Sequence, residues 1–541
     1  MIELLRPADK DAARASQGIC QMARFCAQSG NLVEAETLLR NHISTSFNDA
    51  PALLLLSELL GRQGRLPEAT MMLQRAAGVL PANNEIKLGL ARLLDAQDHV
   101  ETARAQLNAI TGPLRHSFAV RALEASLLGK LGDHEGEIAI YQGLTCDSPD
   151  HPALWNSLGN ALKYAGRTEE SLVALRRAVK IRPSYGEAWW SLANVKTARF
   201  EASDLRAMRK ALRGGVQDID ALHLHFALGK ALEDRREYEH SFRHYAEGNR
   251  IRSAGFRPEQ LVVTPFVDQA IASLDRSFFA SVGTHGHPET GPIFVVGLQR
   301  SGSTLIEQIV ASHPLIEGTT ELLALQQLWG DLGKDAAREG KTVWEALAES
   351  NPARLKAIGE DYFARVKPFR RTDRPLFVDK LPANWMMVGL IRAVLPNARI
   401  IDARRHPMAC GFSNFKQHYA TGVAFAYSLQ SIGRFYVDYL RLMQHFDEVQ
   451  PGAIHHLLNE RLVADPEGEI RRLLDFIQVP FDPACLDFHR TKRAVSTPSA
   501  EQVRRPINSD GLDAWRHYET WLDELKEALG PNLFDWDRTP A

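Results

Sequence analysis

Between residues 16 and 253, small and large apolar side chains recur in phase at a spacing of about 34 residues. With units opening at Ser16, Ala50, Asn84, Phe118, Pro152 and Gly186, the fifteenth place holds Gly30, Gly64, Asp98, Gly132, Gly166 and Phe200. The thirty-second holds Phe47, Pro81, Arg115, Pro149 and Pro183. A small residue recurs at Ala35, Ala69 and Ala103, and a large apolar one at Leu39, Leu73, Leu107, Tyr141 and Leu175. Trp155 and Trp189 occupy equivalent places. After a two-residue slip one more unit carries Leu228, Gly229, Leu232, Ser241 and Tyr245. This pattern predicts pairs of amphipathic helices: the small residues admit close packing, the glycine closes the turn and the proline breaks the second helix. One pair cannot bury its own apolar face, so neighbouring pairs must stack into a solenoid.

The second half changes period. Helicity breaks at Ser253-Ala-Gly-Phe-Arg-Pro258, a connecting helical region covers Leu261–Val282, and short apolar runs follow at Pro292–Gly297, Pro375–Asp379 and Ala398–Asp402. Runs of this length, alternating with helical stretches, predict a mostly parallel sheet with ligands at the carboxyl ends of its strands. The expected organisation is a helical solenoid over 1–253, a helical connector over 254–289 and an α/β domain over 290–541.

The first apolar run leads into Gly297-Leu-Gln-Arg300-Ser301-Gly302-Ser303-Thr304 and then into a helical segment. A strand, a glycine-rich turn and a helix start aim backbone N–H groups at an anion. The spacing equals that of a nucleoside-triphosphate loop, but Ser303 stands where the phosphate-binding lysine belongs. That replacement argues against an ATPase, a GTPase or a P-loop kinase. Arg300 supplies a guanidinium fork instead, with Ser301, Ser303 and Thr304 as hydroxyl donors.

Trp155-Asn-Ser-Leu158-Gly159 through Ala178 and Pro183 resembles the tetratricopeptide repeat, with about seven units in all. Val296-Gly-Leu-Gln-Arg300-Ser-Gly-Ser-Thr304 followed by His313-Pro314 resembles the 5′-phosphosulfate loop of sulfotransferases that use 3′-phosphoadenylyl sulfate (PAPS). The nearest likeness is to protein-tyrosine sulfotransferases and to bacterial sulfotransferases carrying such repeats. The resemblance implies a fold of class α + α/β: an all-α tetratricopeptide-repeat solenoid, then an α/β P-loop-like sulfotransferase domain with a mostly parallel sheet.

It also implies roles. Gly297, Arg300, Ser301, Gly302, Ser303 and Thr304 form the phosphosulfate loop, and Arg405 with Ser413 matches the pair that holds the 3′-phosphate. The tyrosine-sulfating enzymes add an arginine four residues after that serine; this chain has Gln417, next to Lys416. Glu321 stands at the family's distance from the loop for the catalytic base, with Glu307 and Glu317 as rivals. Lys380, closing the Pro375–Asp379 run, matches the lysine that stabilises charge on the departing group, a duty shared with Arg300. Ser499 matches the serine of a segment that closes over the cofactor, and Arg505 takes the place of a basic residue there.

Composition narrows the picture further. Sixty-four Lys and Arg against 66 Asp and Glu give a net charge of −2, which excludes a globally basic nucleic-acid coat. Five cysteines without a CxxC pair, and no metal-ligand spacing among the histidines, predict neither a disulfide scaffold nor a metal. No signal-peptide pattern and no long apolar run occurs, so the expected setting is cytoplasmic with no membrane span. The expected reaction uses PAPS as co-substrate and an acceptor hydroxyl, foremost a tyrosine in a peptide or protein that the repeats help to hold. A carbohydrate or small-molecule acceptor, a non-catalytic adaptor that binds nucleotide, and homo-oligomerisation stay open.

Overall fold

The computed structural model describes residues 7–538 except 196, 320, 420–422 and 492–501, and the side chains from residue 15 onward. These residues fall into two compact units, Met1–Ile181 and Arg182–Ala541.

The first unit is a run of helix pairs. Its later pairs open at Ala50, Asn84, Phe118 and Pro152, the residues from which the 34-residue phase predicts them. Gly30, Gly64, Asp98, Gly132 and Gly166, one per unit at the same place, all have left-handed backbones with φ between 60° and 84°. That conformation reverses the chain in a tight turn, and glycine adopts it without a Cβ penalty. The recurring alanines at 35, 69 and 103 are fully buried between paired helices. Gly159 shows the constraint directly: a Cβ there would lie 2.6 Å from the Leu175 side chain. Trp155 and the repeat-ending proline belong to one device, because the indole N–H donates to the Pro149 carbonyl at 2.8 Å. Asn31, Asp49, Asn83, Ser117 and Asp133 cap helix starts, each worth about 1 kcal/mol.

The second unit begins with the last two helix pairs, Gly186–Ala193 with Ala202–Arg213 and Asp218–Asp234 with Tyr238–Ser253. They keep the repeat chemistry: Trp189 donates to the Pro183 carbonyl at 2.8 Å, and Ser241 to the Gly229 carbonyl at 2.7 Å. The repeat pattern and the compact units therefore divide at different residues. The final pair packs on the α/β fold, where buried Asn249 donates to the Phe415 carbonyl at 2.7 Å and Ser241 Oγ lies 3.0 Å from the Tyr518 hydroxyl. The Phe242 ring stacks on both Phe415 and Trp521. Two helices, Thr264–Ser273 and Arg276–Val282, lead on to the sheet.

Five parallel strands make that sheet: β1 (Pro292–Gly297), β2 (Ile316–Gly318), β3 (Leu376–Lys380), β4 (Arg399–Arg404) and β5 (Ile454–Leu458), in the order β2-β3-β1-β4-β5. All of β1 is buried, as a central parallel strand covered on both faces requires. Ile293 and Val295 join the core formed with Ile306, Ile309, Leu473 and Leu474, while Phe294 packs on Tyr362 on the other face. The chain leaves β1 for the β2–β3 side and returns to β4 on the opposite flank. The carboxyl end of β1 is thus the switch point at which ligands bind in open parallel sheets.

Asp402 and His456 face each other in the β4–β5 register. His456 Nδ1 lies 2.8 Å from Asp402 Oδ2, its Nε2 lies 2.8 Å from Asp447, and Arg404 reaches Asp402 at 2.9 Å. Burial opposes a charge on His456, but hydrogen bonds to Asp402 and Asp447 override it and raise the imidazole above its ordinary value. A raised value means that the protonated His456 contributes stability below the unfolded value of about 6.5, and that this contribution fades as pH climbs through the folded value. His456→Leu is expected to cost on the order of 3 kcal/mol between about pH 5 and 6, from a broken buried ion cluster. The difference from wild type should shrink at higher pH, read by amide exchange along β4 and β5; a pH-independent difference would contradict this account.

Candidate functional site

The loop after β1 is shaped by what crowds it. Gly297 has φ 134°, and a Cβ there would lie 2.4 Å from the Ala403 carbonyl oxygen of β4, so only glycine lets the two strand ends approach. Arg300 and Gly302 both have positive φ, and the helix Ser303–Ala311 starts directly after them. The helix Pro407–Phe415 anchors the loop: Asn414 donates to the Gln299 carbonyl at 2.7 Å, and the Cys410 thiol donates to the same oxygen at 3.3 Å. Burial pushes that thiol up to about 12, so Cys410 acts as a packed donor and not as a nucleophile.

The predicted loop and 3′-phosphate residues converge. Arg300 Nε donates to Ser413 Oγ at 3.0 Å, and Arg405 Nη1 donates to the Arg300 carbonyl at 3.0 Å. The second Arg405 nitrogen bonds the Gly511 carbonyl. Arg405 makes no ion pair with a carboxylate among the described residues, and its Nε has no hydrogen-bond partner there. Burial lowers its basicity. Ser301 is 2% exposed, and its hydroxyl also has no hydrogen-bond partner among the described residues. A half-buried guanidinium served by carbonyls keeps a charge that an anion can complete. Arg404, one residue earlier, points the opposite way into the Asp402–His456 cluster, as strand alternation dictates. Arg300, Gly302, Ser303, Thr304, Arg405, Ser413 and Arg505 line one cleft of 360 Å³.

The predicted catalytic pair meets at the neighbouring strand end. Lys380 closes β3 and lies in register with Val295 of β1. Its Nζ donates to Glu321 Oε1 at 2.5 Å and approaches Glu307 Oε2 at 3.6 Å. Lys380 is 2% exposed whereas Glu321 is 46% exposed, so the carboxylate joins a buried ammonium to the solvent side. Glu321 precedes the helix Ala324–Arg338 and lies outside its first turn, so helix-dipole preference does not account for its position.

The rival acids are placed differently. Glu317 is held by Arg370 at 2.6 Å and by the Arg371 and Thr372 N–H groups; burial opposes its charge, but these donors keep its carboxyl below the ordinary range. Glu307 is 5% exposed in side chain and sits behind Lys380. Asp379 faces the other side of β3, accepting from Tyr362 at 2.8 Å and from Asn384 at 3.3 Å. Burial raises its carboxyl to about 7 against those hydrogen bonds. Lys380 therefore pairs with Glu321 and Glu307 and not with its chain neighbour Asp379.

Arg505 lines the cleft with its side chain 68% exposed, 3.7 Å from Asp510. Ser499 lies outside the described residues. Among the described residues no group of three or more His, Cys, Asp or Glu side chains is arranged to hold a metal ion, and no helix is long and apolar enough to cross a membrane. Sequence reasoning missed Asn414, which fixes the loop, and Trp190, Lys230, Glu233 and Tyr245, which reach the cleft from the repeat helices. Asn414 follows Ser413 on a helix end already singled out; the repeat residues carry no sequence signal toward the site.

Residues 292–483 match the Sulfotransferase family, and residues 60–127 match the Tetratricopeptide repeat. An uncharacterized protein of Aquifex aeolicus (strain VF5) is 30% identical over 390 residues, covering 70% of this chain and 50% of that protein. The chain thus spans half the length of that relative. A putative protein-tyrosine sulfotransferase of Caenorhabditis briggsae is 24% identical over 234 residues, 41% of this chain and 80% of the relative. The solved sulfotransferase domain from the curacin biosynthetic pathway is 20% identical at a TM-score of 0.31, covering 43% of this chain and 91% of that one. The chain carries a tetratricopeptide-repeat segment followed by a sulfotransferase-family domain with a parallel sheet.

Proposed function

We propose that this protein transfers a sulfuryl group from PAPS to an acceptor hydroxyl, foremost that of a tyrosine in a peptide or protein. The observation that carries the reading is the Glu321–Lys380 pair at the end of β3, one strand from a loop beside which Arg405 pairs with no carboxylate among the described residues. Half-buried Arg405 and buried Ser301, each with an inward polar atom that has no hydrogen-bond partner among the described residues, suit a phosphorylated ligand. The loop Gly297–Thr304 would hold the phosphosulfate, and Arg405 with Ser413 the 3′-phosphate. The similarity to protein-tyrosine sulfotransferases supports a tyrosine acceptor, and repeat arrays offer the extended concave surface that peptides use.

When bound, the co-substrate supplies the sulfuryl group and a nucleotide leaving group. Lys380 holds Glu321 at the solvent side of the strand end, where the carboxylate can take the proton of the acceptor hydroxyl. As the acceptor oxygen bonds to sulfur, the bond from sulfur to the phosphate oxygen breaks. Lys380 and Arg300 stabilise the charge left on that oxygen, and 3′-phosphoadenosine 5′-phosphate departs. Burial of Lys380 magnifies its effect, because little water screens it.

Transfer of labelled sulfate from PAPS to a panel of tyrosine peptides, glycans and phenols, with EDTA present, tests this reading. Labelling should fall on the tyrosine peptides. Glu321→Gln should lower the rate by about 10² to 10⁴ and Lys380→Met by about 10² to 10³, with nucleotide affinity nearly unchanged. Label on glycans or phenols alone would replace the acceptor class. Nucleotide binding without transfer to any acceptor would favour an adaptor.

Arg405→Met should act on binding instead. Removal of its charge-assisted contacts should weaken nucleotide affinity about tenfold or more, read by calorimetry. Arg405→Lys should restore little of it, since a lysine cannot span two acceptors as a guanidinium does. Full affinity in Arg405→Met would place the phosphate elsewhere.

A further inference from the structure

The cleft that holds the phosphate loop does not end at the α/β fold. Its far wall comes from the final repeat helices, through Trp190, Asn194, Lys230, Glu233 and Tyr245. All of these lie in the same compact unit as the sheet. At that end Gln417 stands where the family resemblance calls for an arginine, and its amide donates to the His418 carbonyl at 3.0 Å. An uncharged side chain turned to the backbone cannot neutralise a phosphate.

The preceding residue supplies the charge. Lys416 Nζ donates to Glu233 Oε1 at 2.7 Å, and the other Glu233 oxygen accepts from the Tyr245 hydroxyl at 2.9 Å. Both oxygens of Glu233 are thus engaged, which fixes the carboxylate and with it the lysine. Burial opposes the charge on Glu233, but Lys416 overrides it and holds the carboxyl below its ordinary range. Lys416 and Glu233 remain 24% and 20% exposed, so the pair borders the cleft and is not sealed in the core. An ammonium has three N–H donors, and this contact uses one. Lys230, one helical turn before Glu233 and Asp234, lines the same cleft and pairs with Asp234.

Resting on the functional reading above, we propose that the last repeat is part of the nucleotide site: Lys416, positioned by Glu233, together with Lys230 recognises the 3′-phosphate beside Arg405 and Ser413. Two lysine point charges, one held by Glu233 and one by Asp234, replace the guanidinium fork lost at Gln417. The repeat array then does more than present a surface, because its final pair completes the small-molecule pocket. A chain cut at the boundary where the repeat pattern ends would lose this wall.

The test uses the full chain and calorimetric titration with 3′-phosphoadenosine 5′-phosphate and, in parallel, adenosine 5′-phosphate, which lacks only the 3′-phosphate. Wild type should bind the first more tightly. Lys230→Met and Lys416→Met should each weaken it about tenfold, the loss of one charge-assisted contact, while leaving adenosine 5′-phosphate unchanged. Glu233→Gln should do the same through Lys416, and Lys416→Arg should restore discrimination. Circular dichroism melting separates misfolding from lost recognition, and the two lysine variants decide the matter where Glu233→Gln does not fold. Unchanged discrimination in both lysine variants overturns this inference and leaves the sulfuryl-transfer reading standing. A folded wild type that binds neither nucleotide overturns that reading, and this one with it.

Discussion

The close approach of β1 and β4 at their carboxyl ends is the constraint on which the site depends. Gly297 lies against the Ala403 carbonyl at a distance no side chain tolerates, and the order β2-β3-β1-β4-β5 places β3 on the other flank of the same strand end. Parallel strands all finish on one edge, so the loop after β1, Lys380 at the end of β3 and Arg405 just past β4 are neighbours by topology. Burial of β1 on both faces fixes that register, since a one-residue slip would turn every side chain to the wrong layer. The candidate site is therefore held by strand ends and not by loops alone.

Charge is arranged around that edge by strand alternation. Adjacent residues Asp379 and Lys380, and likewise Arg404 and Arg405, face opposite ways. One member of each couple closes a buried network, Asp379 with Tyr362 and Asn384 or Arg404 with Asp402 and His456. The other member reaches the ligand edge. A buried network and a residue of the candidate site thus come from the same dipeptide, and the sheet decides which residue does which.

The last repeat pair links the two architectures. Ser241, a repeat landmark, bonds its own helix partner at Gly229 and also approaches Tyr518 near the end of the chain. Asn249 and Phe242 reach Phe415 at the end of the helix that carries Ser413. Residues selected for stacking one repeat on the next are here stacked on the α/β fold. A solenoid end must cover its apolar face, and in this protein the sulfotransferase-family domain does so.

By itself the sequence determined the local devices. The 34-residue phase located the helix starts at Ala50, Asn84, Phe118, Pro152 and Gly186 and the left-handed turns at Gly64 and Gly132, because one unit repeats the same short-range packing. Apolar runs with Gly297, Lys380 and Arg405 at or just after their ends marked the strand ends, since burial on both faces leaves an apolar composition. The tertiary structure alone decided which carboxylate meets Lys380. Glu307, Glu317 and Glu321 are equal in sequence chemistry, yet Arg370 captures Glu317, and Glu321 takes the solvent side of the lysine. It alone also brought Glu233 to Lys416 across 183 positions of chain. Such pairings depend on where distant elements pack, and no local pattern records a contact made through space.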